Sequence, residues 1–278
     1  MKAPAFNDRI ERKYQIDISK NEVAKLWRDL CSYLKPHGLD PVQQITSVAS
    51  VYFDNKDFDL LRYSLLGRLM LVRLRVYEKY GSAPVPIKEY WVEVKTARGE
   101  RRLKRRFRLS KKELIPFLNG GEVVESVLEN NVNVGPRARV RDLYKETQET
   151  IFTFGLNPIL LVNTKRVAFQ GAVERISIDW DLQFRRATSE IYNYDSWKDL
   201  AIPVDGQSDN VILETKYLQG DAPAWFSELQ QRFPIYRREY LKPIQGMGFL
   251  FDGPLSQHKE ANFFRTMIAA YMANSRLG

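Results

Sequence analysis

The sequence predicts an α+β fold, an antiparallel β-tunnel closed as a barrel, with a basic interior and a cover of peripheral helices. Three observations predict it. Strand-like segments recur along most of the chain with two-residue alternation, apolar on one face and charged on the other. The charged faces carry Arg, Lys and Glu where an ordinary solvated sheet mixes in Thr, Ser and Gln, and the basic groups outnumber the acids. Helix-like stretches near 20–35, 110–154, 222–233 and 260–276 are available to cover the apolar faces if the charged faces turn inward.

Leu69–Tyr77 shows the pattern most cleanly: Met70, Val72, Leu74 and Val76 on one face, Arg73 and Arg75 on the other. Ile10–Ile18 precedes it as the first strand, with Glu11, Lys13, Gln15 and Asp17 on its polar face and Arg12 as an exception on the apolar one. Ser19 then opens a helix with Glu22 in capping-box position, and Pro36 and Gly38 stop it. Gln44–Asp54 is a strand that the Asp54–Asn55 pair closes as a turn. Ile87–Thr96 sets Trp91, Glu93 and Lys95 opposite Tyr90, Val92 and Val94. Arg101–Leu109 sets Arg102, Lys104, Arg106 and Arg108 opposite Leu103, Phe107 and Leu109.

Ser110–Leu118, Glu122–Asn130 and Arg137–Phe154 read as a helical insertion, about 110–155, within a single domain spanning 1–278. Strands return at Pro158–Gln170, which carries Arg166, and at Glu174–Phe184. The latter alternates Ile176, Ile178, Trp180, Leu182 and Phe184 against Arg175, Ser177, Asp179, Asp181 and Gln183. The stretch 185–207 has no decided pattern. Asn210–Tyr217 is the last clear strand, with Ile212, Glu214 and Lys216 on one face. Asp221–Phe233, a short piece at Tyr236–Gly246 and a C-terminal run at Glu260–Arg276 read as helices.

Composition bounds the function. Lys+Arg 43 against Asp+Glu 34 gives +9, and nine of the basic residues fall within Arg98–Lys112 with Glu100 as the one acid. Such a block points to a polyanionic partner. A single cysteine, Cys31, excludes an intramolecular disulfide framework and a Cys-based zinc site, and two histidines, His37 and His258, disfavour a His-centred site. There is no apolar run of spanning length and no apolar signal core in MKAPAFNDRIERK, so a soluble, intracellular protein is expected.

An interior lined by Arg and Lys is not stable empty, because like charges repel strongly at low dielectric. It calls for a polyanion, and guanidinium forks suit phosphate oxygens. Glu11, Glu93 and Glu214 could hold a hard divalent cation that bridges phosphates. Sequence-specific nucleic-acid binding is not expected, since the aromatics fall mostly on apolar faces and not between the basic residues.

At this point the residues resemble a family. ERKY (11–14), SVYFDNKDFDL (50–60), VRLRVY (72–77), VEVKT (92–96), GERRLKRRF (99–107), KRVAFQG (165–171), RISID (175–179), ILETK (212–216) and YLKPIQG (240–246) together look like the catalytic domain of the vacuolar transporter chaperone (VTC) polyphosphate polymerases, a branch of the triphosphate tunnel metalloenzymes. The resemblance implies a β-tunnel that binds ATP and inorganic polyphosphate with Mn²⁺ or Mg²⁺. Carried over by position, it implies phosphate contacts at Lys13, Arg73, Arg75, Lys95, Lys104, Arg166, Arg175 and Lys242, and a metal carboxylate at Glu214. Alternation alone nominates all of these except Lys242, and adds Arg106 and Lys216 on the substrate side and Glu11 as a second metal carboxylate.

The implied reaction is transfer of the terminal phosphate of ATP to a growing chain. Arg73, Arg75, Arg166 and Arg175 clamp the triphosphate, and Lys13, Lys95 and Lys104 hold the acceptor or the group in flight. Tripolyphosphate hydrolysis, with Glu11 or Glu93 placing a water, and noncatalytic polyphosphate binding stand as alternatives. The wider superfamily signature on the first strand, Glu-x-Glu-x-Lys, reads Arg9-x-Glu11-x-Lys13 here, which fits the polymerase branch better than the hydrolases and adenylate cyclases. The chain departs from the family pattern at Ser64, where a basic residue is usual, and at Glu239, where a Lys is usual. The expected setting is cytoplasmic, at the inner face of a membrane, with any translocation left to a separate membrane protein.

Overall fold

A computed structural model describes residues 10–42, 44–98, 101–198, 200–217, 223–238 and 241–275. Arg9, the Gly99–Glu100 turn and Glu239 lie outside the described residues. The strands in chain order are β1 (Ile10–Ile16), β2 (Asp40–Pro41), β3 (Thr46–Asp54), β4 (Met70–Lys79), β5 (Glu89–Arg98), β6 (Arg101–Ser110), β7 (Asn157–Gln170), β8 (Arg175–Arg186), β9 (Gly206–Ser208), β10 (Val211–Tyr217) and β11 (Ile235–Arg237). The helices are α1 (Val23–Leu34), α2 (Asp59–Leu65), α3 (Lys111–Leu118), α4 (Val124–Asn130), α5 (Arg137–Phe154), α6 (Ala224–Arg232), α7 (Lys242–Asp252) and α8 (Ala261–Asn274).

The strands form one antiparallel sheet in the order β11-β1-β10-β8-β7-β3-β4-β5-β6, with β2 beside β7 and β9 beside β8. Its ends curl toward each other: Lys95 of β5 lies 3.7 Å from Glu11 of β1. The closure expected from sequence is not confirmed: among the described residues no ladder joins β6 to β1. The free edge of β1 is taken by β11, which pairs with Tyr14–Ile16, and by the Arg238 N–H, which donates to the Lys13 carbonyl. Residues 235–237 are therefore strand, not the helix predicted for 236–246, and the helix begins at Lys242.

The convex face of the sheet buries the apolar half of each strand. Val51, Leu74, Val92 and Phe107 pack under α3, α4 and α5, while Ile16, Phe169, Ile178 and Leu213 pack under α1 and α6. The Ser19 and Ser110 backbone N–H groups donate to Glu22 and Glu113 at 2.9 and 2.7 Å, as the capping boxes predict. Arg105, on the apolar parity of β6, reaches out to pair with Glu146 of α5.

The concave face is divided along its length. One end is apolar: Tyr52, Leu71, Leu160, Val162, Leu182, Phe184 and Ile212 pack against α7 and α8. Gly246 of α7 makes that contact possible, since a Cβ there would fall 2.7 Å from the Phe184 ring and 2.8 Å from Leu160. Leu182 and Phe184 reach this face through a bulge. Asp181 takes φ 53°, the pairing with β7 shifts register there, and strand parity reverses. The unbroken alternation read across 174–184 is thus wrong after Trp180.

The helix α2 was not foreseen. The Asp54 carboxylate accepts from the backbone N–H groups of Asn55, Leu60 and Leu61 at 2.9–3.0 Å and so fixes its start, with Phe58 left-handed at φ 56°. No helix among the described residues is long and apolar enough to cross a membrane.

Candidate functional site

The other end of the concave face carries the charged half of each strand. Pairing of β3, β4, β5 and β6 brings Tyr52, Arg73, Glu93 and Arg106 into one row. Glu93 is fully buried at its centre. It accepts from Arg73 Nε at 2.8 Å and Nη2 at 2.5 Å, and Lys104 Nζ contacts its other oxygen. Arg75 Nη1 stands 3.6 Å away and Arg106 Nη1 3.9 Å. Burial alone would push the Glu93 carboxyl up, but Lys104, Arg73 and Arg75 hold it well below the usual range. Arg73 also donates to the Tyr52 hydroxyl at 2.9 Å, and Arg75 Nε to Ser50 Oγ at 2.9 Å.

A second carboxylate, Asp179 of β8, binds Arg166 of β7 through Nε and Nη2 at 2.5 and 2.6 Å. It also accepts from Lys242 Nζ at 2.6 Å. Lys242 is the first residue of α7, so the apolar helix plug delivers its leading ammonium group to the polar half.

The third group lies where β1 meets β10. The register sets Lys13 opposite Glu214 and Glu11 opposite Lys216, so the two glutamates are diagonal neighbours on one face. Glu11 Oε1 has Lys13 at 3.8 Å and Lys95 at 3.7 Å, Oε2 has Lys216 at 3.7 Å, and Lys216 also contacts Glu214 directly. Burial and the neighbouring Glu214 push the Glu11 carboxyl up, yet Lys95, Lys216 and Lys13 outweigh both and hold it at about 2.

The ladder registers and ion pairs place the twelve residues nominated from sequence around the polar half of the concave face. Ten are cations: Lys13, Arg73, Arg75, Lys95, Lys104, Arg106, Arg166, Arg175, Lys216 and Lys242. The two metal candidates, Glu11 and Glu214, are joined by Glu93 and Asp179, making four acids. Asp179 was on the polar parity of its strand but was not nominated. Ser50, Tyr52, Tyr77 and Trp91 were also missed, although Tyr77 shares parity with Arg73 and Arg75, and Trp91 with Glu93 and Lys95. Ser64, at the position where the family has a basic residue, is buried in α2 and donates to the Leu60 carbonyl. Nearby Arg62 does not replace that residue in the cavity; it pairs with Glu260 at 3.0 Å and stacks on Phe263 and Phe264.

Ten cations around four carboxylates give this face a net positive charge. Burial pulls Lys104 down to about 7 and Lys242 to about 8; Glu93 and Asp179 oppose the shift and neighbouring arginines add to it. Burial also holds Lys95 well below its ordinary value, against Glu11. Arg175 is pushed below the usual arginine value by burial and by Arg166, and among the described residues no carboxylate lies within 4 Å of it.

Glu11 and Glu214 suit a hard cation. Both are oxygen donors on one face, and Glu11 Oε1 is buried without a hydrogen-bond donor, its two ammonium neighbours standing beyond bonding distance. Among the described residues no three Asp, Glu, His or Cys side chains gather as a metal site, so two carboxylates would need phosphate oxygens to complete a shell. Mg²⁺ is commonly held that way.

The VTC domain family matches residues 8–251. The chain belongs to that family. Among its curated relatives, the Schizosaccharomyces pombe vacuolar transporter chaperone complex subunit 4 is 28% identical over 239 residues, 74% of this chain and 32% of that protein. Subunit 4 of the Trypanosoma brucei complex is 30% identical over 175 residues, 56% of this chain and 22% of that protein. This VTC domain thus spans a third or less of the relatives it matches. Among solved structures, a candidate adenylate cyclase from Bacillus halodurans overlaps 86% of this chain and 96% of its own, at 17% identity and a TM-score of 0.43, too loose to carry weight.

Proposed function

We propose that this VTC domain is a polyphosphate polymerase that moves the terminal phosphate of ATP onto a growing inorganic polyphosphate chain. The observation that carries the reading is the set of ten cations gathered around four carboxylates on one face, with no carboxylate of the described residues within 4 Å of Arg175. Family membership and the resemblance to the VTC polymerases support it.

In the reaction, a terminal oxygen of the acceptor chain attacks the γ-phosphorus of ATP in line. One P–O bond forms, the bond from the β,γ-bridging oxygen to the γ-phosphorus breaks, and ADP leaves with that oxygen. The attacking group is already an anion, so no base has to remove a proton, and catalysis rests on positioning and charge neutralisation. Arg73, Arg75, Arg166 and Arg175 take the triphosphate oxygens. Lys13, Lys95, Lys104, Lys216 and Lys242 supply mobile ammonium groups along the acceptor path, and Arg106 guards the approach. Phosphate oxygens replace Glu93 and Asp179 as partners of these groups. Glu11 and Glu214 would hold Mn²⁺ or Mg²⁺, which would supply charge neutralisation at the phosphates.

Hydrolysis fits less well. Glu93, one candidate to place a water, is saturated by cations that keep its carboxyl far below the range of a useful base. The relatives are named as subunits of a complex, and this domain is read as working on the cytoplasmic side of a membrane through partner subunits, with a separate membrane protein for translocation. Incubating the purified protein with ATP and Mn²⁺ and resolving the products on a gel tests the reading. A ladder of lengthening polyphosphate with matching ADP is expected; ADP with free orthophosphate alone would replace polymerase by hydrolase.

A further inference from the structure

Moving along β5 from Lys95 through Glu93 to Trp91 leads away from the plug of α7 and α8 and toward solvent. Lys95 stands opposite Leu71 of the apolar end, Glu93 is fully buried, Trp91 is half-buried and Glu89 is exposed. On β4 the same direction runs from buried Arg73 and Arg75 to Tyr77, which is 40% exposed. The mouth of the cavity is thus lined differently from its floor. The Arg106 guanidinium lies 4.1 Å from the centre of the Trp91 ring and Arg108 lies at 5.4 Å. Arg75 lies over the Tyr77 ring at 5.9 Å. Trp91 is opposite Arg75 in the ladder, which makes Tyr77 its diagonal neighbour on the same face.

Aromatic rings contribute little to holding a phosphate, since their faces carry no donors. They do contribute to holding a flat heterocycle, and a guanidinium already lying on an indole extends the same π surface. The geometry points to a nucleobase subsite at the mouth, formed by Trp91, Tyr77 and Arg106, which stacks the base of the nucleotide while its triphosphate runs inward past Arg75 to Arg73. This rests on the reading of the cavity as a nucleotide and polyphosphate site, and it names the residues that distinguish ATP from a bare phosphate chain. Stacking of this kind tolerates any base, so GTP should bind nearly as well as ATP.

The competing role for Trp91 is to hold Arg106 and Arg108 in place. Calorimetric titration of ATP and of tripolyphosphate in EDTA, into wild type, Trp91→Leu and Trp91→Phe, separates the two. The expected result is an ATP affinity about tenfold weaker in Trp91→Leu, with tripolyphosphate within about twofold of wild type and Trp91→Phe close to wild type for both. Equal losses for both ligands, or no loss for either, would overturn the base site. Tyr77→Leu, at a more exposed position, provides the same comparison if Trp91→Leu does not fold; a selective loss of ATP supports the subsite, and none overturns it. Wild-type protein that fails to bind tripolyphosphate would remove the phosphate reading itself, whereas tight tripolyphosphate binding with no selective effect on ATP removes only the base site.

Discussion

Glu93 and Arg73 are directly opposed in the β4–β5 ladder, and the carboxylate takes two hydrogen bonds from the guanidinium fork, at 2.8 and 2.5 Å. The same carboxylate holds Lys104 and stands near Arg75 and Arg106. It is the anion on which these cations converge. Removing its charge leaves buried cations unpaired, a change that costs about 3–5 kcal/mol when one partner of a buried pair is lost. Glu93→Gln is therefore expected to melt well below wild type, and tripolyphosphate should raise its melting temperature by more than it raises that of wild type. Thermal melts with and without tripolyphosphate check this; equal ligand-induced shifts would mean that phosphate does not take the place of Glu93.

Arg175 gives the opposite balance. It is half-buried beside Arg166, no carboxylate of the described residues lies within 4 Å of it, and burial and Arg166 already push its pKa down against the more distant Glu214. Arg175→Ala should fold as well as wild type. A charge-assisted hydrogen bond contributes on the order of 1.5–3 kcal/mol, which corresponds to a loss of roughly ten- to hundredfold in turnover. Arg75→Ala should lose activity on the same scale, with a small loss of stability because Ser50 Oγ gives up its donor. Melting curves and ATP turnover on both variants test the contrast. Unchanged turnover in both would mean that the phosphates lie elsewhere.

Parity is why the site was legible. In each strand the inner face is fixed by a period of two, so once Arg73 and Arg75 are inward, Glu93, Lys95, Lys104, Arg166, Glu214 and Lys216 follow from apolar neighbours alone. The same rule failed at Asp181, where one residue in a left-handed conformation reverses the faces and sends Leu182 and Phe184 inward to meet α7. The pairing of β11 with Tyr14–Ile16 of β1 was not legible, because β11 is three residues long, too short to show a period. Lys242 has no periodic signal because it begins a helix, and only the YLKPIQG resemblance found it. The helix α2 was hidden by the Asp54–Asn55 turn, whose carboxylate caps it from six and seven residues away.

The lysine shifts make ligand binding and folding respond to pH in opposite directions. Lys104 sits at about 7 and Lys242 at about 8 in the unliganded protein, both pulled below their ordinary 10.5 by burial. A bound polyanion favours the ammonium form, so binding takes up protons. Affinity for tripolyphosphate is then greatest below about pH 7 and falls as pH rises through the window from 7 to about 10. Folding without ligand carries the reverse term. A lysine depressed in the folded state costs stability below its folded pKa, where it must be charged, and the cost fades as pH rises toward 10.5. Titrations at pH 6.5, 8 and 9.5, with proton uptake read from buffers of different ionisation enthalpy, check the linkage. Net proton release, after correction for the titration of tripolyphosphate itself, would contradict the direction of both shifts.

Glu214 is the acid on which the metal reading depends most. It faces the cavity from β10 beside Lys216, with Glu11 diagonal to it on β1. Burial pushes its carboxyl up, but Lys216, Arg166, Lys13 and Lys95 hold it well below the usual range, so it is ionised and available as a ligand at neutral pH. Two anions crowded among lysines have two possible uses: they neutralise the wall, or they hold a divalent cation that bridges substrate phosphates. Glu214→Gln separates the uses, because it keeps size and hydrogen bonding and removes charge. If the pair holds Mn²⁺, metal-dependent turnover should fall steeply in the variant. Tripolyphosphate binding in EDTA should survive or tighten, since one repulsive carboxylate has gone. A Mn²⁺ titration of ATP turnover, run beside binding in EDTA on both proteins, gives the two readouts. The same Mn²⁺ dependence in both would show that Glu214 only balances charge, and Glu11→Gln would be the next variant to titrate.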